Sequence, residues 1–184
     1  MRVIPFEEKY RDKCHEICIH TGSPDNLVNE EHRKFSLLMY CDPYLDHGKC
    51  FLLQDDQGEI QGYILCAESY ASFKEYIQEY FEEIKKVAPS FVLRCDISEY
   101  EAYQKEYPAH LHVDILENCC GKGSGTLLMH TLLDALKKEH VPGIMVGVEK
   151  NNQRAFNFYQ KMGFEILVEA EYAAFLRMPC VLGP

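Results

Sequence analysis

No stretch of the 184-residue chain approaches the roughly 18 to 20 consecutive apolar residues that a membrane span requires, which excludes a membrane-embedded protein. Positive charge is scarce. Lys plus Arg number 19 against 29 Asp plus Glu, a formal net charge of −10, the wrong sign for non-specific capture of nucleic acid or of an anionic membrane surface. The amino terminus, MRVIPFEEKYRDK, lacks the cationic-then-apolar run of a secretory signal. The 9 cysteines are odd in number and form no Cys-x-x-Cys pair, so free thiols in a cytoplasmic protein are expected. Repeats and low-complexity tracts are absent. What is there is ordinary: 47% hydrophobic and 26% charged residues, near the globular norm of about 45 to 50% and about 25%. The length fits one domain, residues 1–184, with enough core to fold without disulfides or metal.

Hydrophobic spacing divides the chain into alternating elements. A short strand at Val3-Ile4-Pro5 precedes a helix over Glu7 to Ile19. Extended runs Cys50 to Leu53 and Ile60 to Cys66 flank the turn residues Asp55 to Gly58, predicting a hairpin. From Tyr70 to Val87, Phe73, Tyr76, Ile77, Tyr80, Phe81 and Ile84 recur at three and four, predicting an amphipathic helix. A short helical patch, Glu99 to Glu106, ends before Pro108. Then follow a strand His110 to Leu116, a glycine loop Gly121 to Gly125, a helix Thr126 to Glu139, and a strand Ile144 to Val148. A helix Gln153 to Met162 stops at Gly163, and strands at Phe164 to Glu169 and Tyr172 to Met178 close the chain. The pattern is a mixed α/β sheet.

A glycine loop between strand and helix offers backbone N–H groups and the positive helix end to a phosphate. Cys120-Gly121-Lys122-Gly123-Ser124-Gly125-Thr126 is so placed. The spacing of a Walker loop is absent, and a dinucleotide fingerprint from Gly121 would need glycine or alanine at Thr126. His110, His112 and Asp114 share a strand face, but the outer two lie roughly 13 Å apart at 6.5 to 7 Å per step, too far to ligate one ion. Satisfied structural histidines and an acceptor-side role are both open to this face. The Cys119-Cys120 pair has no placed base, which argues against a thiol nucleophile. Tyr159, beside Phe156 and Phe158, would by default be a core aromatic, and the aromatic face of Tyr70 to Val87 reads as core packing or as a pocket lid.

The loop, with Gly123 and Gly125, resembles the acyl-CoA loop Gln/Arg-x-x-Gly-x-Gly/Ala of the GNAT acetyltransferases. About thirty residues on, Asn152-Gln153-Arg154-Ala155-Phe156-Asn157-Phe158-Tyr159-Gln160-Lys161-Met162-Gly163-Phe164 resembles that family's Asn-x-x-Ala-x-x-Phe-Tyr-x-Lys-x-Gly-Phe segment. Tyr107 to Asp114, Val141-Pro142-Gly143 and Ile17 to Gly22 are similar, more narrowly, to bacterial relatives of the acetyltransferase-like terminal domain of O-GlcNAcases. One departure is Cys120, where the family carries Gln or Arg. Losing that contact costs roughly 1 to 3 kcal/mol at most, and Lys122 partly compensates.

The resemblance implies a mostly antiparallel sheet splayed between its fourth and fifth strands, flanked by helices, with a helical insertion near residues 69–107. It implies acetyl-CoA as co-substrate, an amine acceptor, no metal, and a monomer or homodimer. Acetyl-CoA would be held by main-chain groups near Val113 and Ile115, by Cys120, Gly121, Lys122, Gly123, Ser124, Gly125 and Thr126, and by Asn152 and Tyr159. Tyr159 is the implied general acid. His112 is the first candidate for the base, ahead of His110, Asp114 and Glu68, and the acceptor is expected beside the His110 to Asp114 strand under the Tyr70 to Val87 helix. The alternative is a catalytically silent module that binds acyl-CoA or recognises a partner.

Overall fold

A computed structural model of the chain describes residues 1–169 and 173–180. Seven strands form one sheet: β1 Arg2–Pro5, β2 Lys49–Gln54, β3 Ile60–Ala67, β4 Ala109–Ile115, β5 Gly143–Glu149, β6 Glu165–Glu169 and β7 Ala173–Pro179. Their order is β1-β2-β3-β4-β5-β7-β6, and every neighbouring pair is antiparallel except β4 with β5. The expected last strand began at Tyr172, which lies outside the described residues.

The β4–β5 pair decides the architecture. Six residue pairs join β3 to β4, from Gly62 opposite Ile115 to Ala67 opposite His110. Only Ala109–Ile144 and His110–Met145 join β4 to β5. Beyond His110 the two strands diverge, as the resemblance implies, and the β5-facing main-chain groups of Leu111 to Ile115 have no strand partner.

Among the described residues six α-helices cover the sheet: α1 Arg11–Thr21, α2 Glu30–Tyr40, α3 Asp42–His47, α4 Tyr70–Val87, α5 Ser124–Lys138 and α6 Gln153–Lys161. Helix α5 buries Leu128, Met129, Leu132 and Leu136 against Leu111, Ile144, Val146 and Leu176 on one face. On the other, α1 to α4 pack Ile17, Phe35, Tyr44, Phe73 and Ile77 over Tyr63, Leu65 and Ala67. Alternation along β3 and β4 allots each residue to one of these two cores.

Helix α4 is the expected insertion after β3. Ser69 caps it by accepting from the Ser72 amide at 3.4 Å, and Tyr70, Phe73, Ile77, Phe81 and Ile84 form its buried stripe. At about 1.5 to 3 kcal/mol for each large apolar side chain buried, this stripe fixes the helix in the core. Of the two readings of this aromatic face, core packing and a lid, the buried stripe fits core packing. Two tight 3-10 segments follow it, Pro89–Arg94 and Ser98–Tyr103, the second where a short helix was expected. Helices α2 and α3 were not anticipated. Among the described residues no helix is long and apolar enough to cross a membrane.

Candidate active site

The site lies where β4 and β5 part. After β4 the chain makes a tight turn at Glu117–Cys119, and α5 begins at Ser124, two residues earlier than the sequence suggests. Gly121 and Gly123 have φ of +74° and +84°, which L side chains rarely adopt, and a Cβ at either would enter open space. Gly123 occupies the cap position of α5 and has no side chain with which to cap. The N–H groups of Gly121 through Thr126 consequently donate to no described residue. They form a concave row of donors at the positive end of a helix, an anion cradle. Ser124 Oγ, with its residue 3% exposed, is also without a partner.

Gly125 has a packing task beside its place in the cradle. It lies inside α5, and a Cβ there would be 3.1 and 3.2 Å from two Phe158 ring carbons. Its smallness lets α5 and α6 approach. Cys120 faces backwards, its thiol directed at the carbonyls of Ile115 and Leu116 at 3.4 and 3.5 Å. Its side chain is turned away from the cradle, in keeping with a thiol that cannot replace the family's Gln or Arg. Lys122 is exposed and donates to the Asn118 carbonyl at 3.0 Å. Asn152 caps α6, its side-chain oxygen accepting from the Ala155 amide at 3.0 Å, so that atom is already committed to the helix.

Tyr159 on α6 is buried between Phe158 and Phe164, each 5.3 Å away ring to ring. Burial, and after it the Asp114 carboxylate, push its phenol far above the usual range, so it stays protonated at neutral pH. Val113 and Ile115 pack partly buried on the α5 side, which turns the next residues of β4 to the opposite face.

On that face the expected bases separate. His110 is 1% exposed and enclosed by Phe73, Tyr100 and Tyr44 at 4.4, 4.7 and 5.6 Å, with neither ring nitrogen partnered. Burial, then neighbouring His112, bring its pKa down to about 3. His112 meets the Tyr44 hydroxyl at 3.1 Å and is pushed down to about 4 by burial. That leaves the imidazole neutral at physiological pH and less basic than a free one. Asp114 accepts from the Tyr63 hydroxyl at 2.7 Å. Burial raises its pKa, while the hydrogen bond from Tyr63 moderates the rise. Glu68 follows Ala67 at the paired end of β4, where it meets Lys49 at 3.1 Å, and is removed from the opening.

Beside the cradle runs a groove of about 730 Å³ between Glu16, His20 and Thr21 of α1, the Ile115 to Glu117 turn and Arg154 of α6. Neither the α1 residues nor Arg154 was given a site role from sequence. They are distant in the chain, and only the fold brings them together. Among the described residues no group of three His, Cys, Asp or Glu is placed to hold a metal ion.

Known structures share this architecture. SsHAT is similar over 98% of both chains with 23% identity and a TM-score of 0.82. A histone acetyltransferase HPA2 and related acetyltransferase from Corynebacterium glutamicum is similar over 99% of this chain and 97% of its own, with 14% identity and a TM-score of 0.67. The yncA protein of Salmonella typhimurium, solved with its cofactor acetyl-CoA, is similar over 100% of this chain and 96% of its own, with 14% identity and a TM-score of 0.58. At such identities these likenesses establish the fold. The sequence model of the acetyltransferase (GNAT) family matches residues 17–164, which covers the splayed strands, the cradle and α6. The chain belongs to the GNAT acetyltransferase family.

Proposed function

We propose that the protein is an N-acetyltransferase that moves acetyl from acetyl-CoA directly to an amine while both are bound. The observation that carries this reading is the row of unpartnered N–H groups from Gly121 to Thr126, opening beside strands that no longer pair. The row suits a pyrophosphate, and the free main-chain edge of β4 suits an extended amide-bearing arm, which would pair with it as a strand does. When bound, acetyl-CoA supplies the activated thioester. Lys122 and Arg154, both exposed near the cradle, add positive charge to a protein that is otherwise acidic.

The acceptor amine must lose a proton to attack, and the base must be unprotonated near neutral pH yet able to hold the proton it takes. Asp114 suits this role better than His112: a carboxylate with raised affinity for protons, held by Tyr63, with Thr21 between it and the groove. Asp114 takes the amine proton, β4 N–H groups face the negative charge that develops on the acetyl oxygen, and Tyr159 returns a proton to the departing thiolate. Holding both reactants makes the attack effectively intramolecular.

We also propose the narrower kinship with O-GlcNAcase terminal domains, on Tyr107 to Asp114, Val141 to Gly143 and Ile17 to Gly22. A silent acyl-CoA-binding module is the second reading, favoured by the withdrawn side chain of Cys120. We also propose a cytoplasmic location, consistent with nine free thiols. Release of CoA with a panel of amines tests the enzyme reading. Turnover is expected, and Tyr159→Phe should lower kcat strongly while leaving CoA affinity within a few-fold. CoA binding with no turnover on any amine supports the silent module instead.

A further inference from the structure

The carboxylate of Asp114 is fastened from the paired side of β4. Tyr63 stands directly opposite Asp114 in the β3–β4 ladder, and its hydroxyl donates to Asp114 Oδ2 at 2.7 Å. Gly62 lets the two strands run close at this point: a Cβ there would stand 2.7 Å from the Asp114 carbonyl oxygen and 3.0 Å from the Ile115 Cα. Tyr63 is 0% exposed and lies in the core beneath α1 to α4. Phenylalanine would fill that volume equally well, and a buried hydroxyl costs stability unless it finds a partner. The partner it has is the carboxylate that faces the acceptor.

The other neighbours of Asp114 are committed elsewhere. Thr21 gives its hydroxyl proton to the Ile17 carbonyl at 2.7 Å and has none left to donate. On the same strand face, His112 meets Tyr44. From α6, Tyr159 is near enough for the Asp114 carboxylate to add to the effect of burial on its phenol. Glu16 and His20 of α1 and Arg154 of α6 line the groove outside, with Glu16 paired to Lys13 at 2.8 Å. Around Tyr63 itself, burial first, then Asp114, Cys18 of α1 and Cys41 directly after α2, push the phenol well above its usual range. Tyr63 therefore keeps its proton and meets Asp114 as a donor.

We propose that Tyr63 is a positioning residue for the transfer: its hydroxyl occupies Oδ2 of Asp114, so that the proton of the acceptor amine is received on Oδ1. The inference rests on the acetyl-transfer reading, with Asp114 as the base. In that step one N–H bond of the acceptor ammonium breaks, its electron pair stays on nitrogen for attack on the thioester, and an O–H bond forms at Oδ1. A donor to the carboxylate also favours its charged form. Tyr63 thus opposes burial and keeps Asp114 free to take a proton at a pH where the amine still carries one.

Carbon-13 NMR of the Asp114 carboxyl, in Tyr63→Phe and in the unmodified protein, reads this hold without requiring turnover. Loss of one hydrogen bond to a charged group is expected to raise the Asp114 pKa by about one to two pH units. Tyr44→Phe, which removes the hydroxyl beside His112, should leave it in place. In the unmodified protein the Tyr63 Cζ resonance should follow the same titration, a readout that needs no variant. A rise of less than about half a pH unit in Tyr63→Phe, an equal rise in Tyr44→Phe, or a Tyr63 Cζ signal flat through the Asp114 titration would each overturn the assignment. In the active enzyme the acid limb of kcat/KM should climb by the same interval in Tyr63→Phe, with acetyl-CoA affinity within a few-fold. A limb that stays in place while the carboxyl titration moves would overturn Asp114 as the base, whereas a carboxyl titration that stays in place overturns the role of Tyr63 alone.

Discussion

Gly125→Val separates the two reasons for a glycine in a phosphate-binding loop. A Cβ at this position already stands 3.1 to 3.2 Å from Phe158, and the γ carbons of valine extend toward the same ring. Overpacking of this kind costs about 1 to 3 kcal/mol. Against it stands the helix propensity that valine gains over glycine, about 0.3 to 0.5 kcal/mol. The net loss of about 0.5 to 2.7 kcal/mol corresponds to a Tm lower by about 1 to 11 °C for a chain of this size. Because Phe158 neighbours Tyr159 on α6, the displaced ring also carries the phenol out of position, so kcat should fall more than CoA affinity. Thermal unfolding of Gly125→Val, Phe158→Leu and the double variant forms the cycle. Relief of at least about 0.5 kcal/mol in the Phe158→Leu background is expected for residues in contact. An identical Tm loss in both backgrounds would refute the packing argument.

Two further outcomes concern acid. If Asp114 is the base, kcat/KM should fall as pH drops through its raised pKa, Asp114→Asn should remove that limb with most of the rate, and His112→Gln should leave it in place; a limb abolished by His112→Gln alone would reject the assignment. His110 has a folded pKa of about 3, so between about 6.5 and 3 the unfolded chain binds a proton that the folded one refuses. Stability should therefore fall as pH drops through that window, and His110→Phe, which keeps a ring beside Tyr100 and removes two orphaned nitrogens, should flatten the fall; chemical denaturation with equal pH slopes in the two proteins would contradict this.

Most strands and α4 were legible because alternation and three-four spacing are local. The strand–loop–helix frame of the cradle was legible too, since glycines at that juncture have a backbone reason. Helices α2 and α3 escaped notice although their signals are present: Asn29 caps α2, accepting from the His32 amide at 3.1 Å, Glu30 and Glu31 fill its first turn, and Phe35 and Met39 recur four apart. Gly125 was assigned to the loop because glycine weakens a helix, and only the approach of Phe158 overrides that preference. The strand face of His110, His112 and Asp114 could be read from alternation, but its burial could not. Tyr44, which meets His112, is 68 residues away in the chain, and the choice between imidazole and carboxylate depends on that desolvation.

The two residue pairs between β4 and β5 also bear on how the molecule assembles. Every ladder of β1 to β4 closes within residues 2–115, and every ladder of β5 to β7 within residues 143–179. The chain thus builds two half-sheets from contiguous segments, and α5 is the strap that docks one on the other. The seam between them is the shortest run of pairing in the sheet, where local opening should cost least. Substrates would enter where the folded state is least cooperative, so tighter closure of that seam would strengthen the fold and obstruct the reaction together.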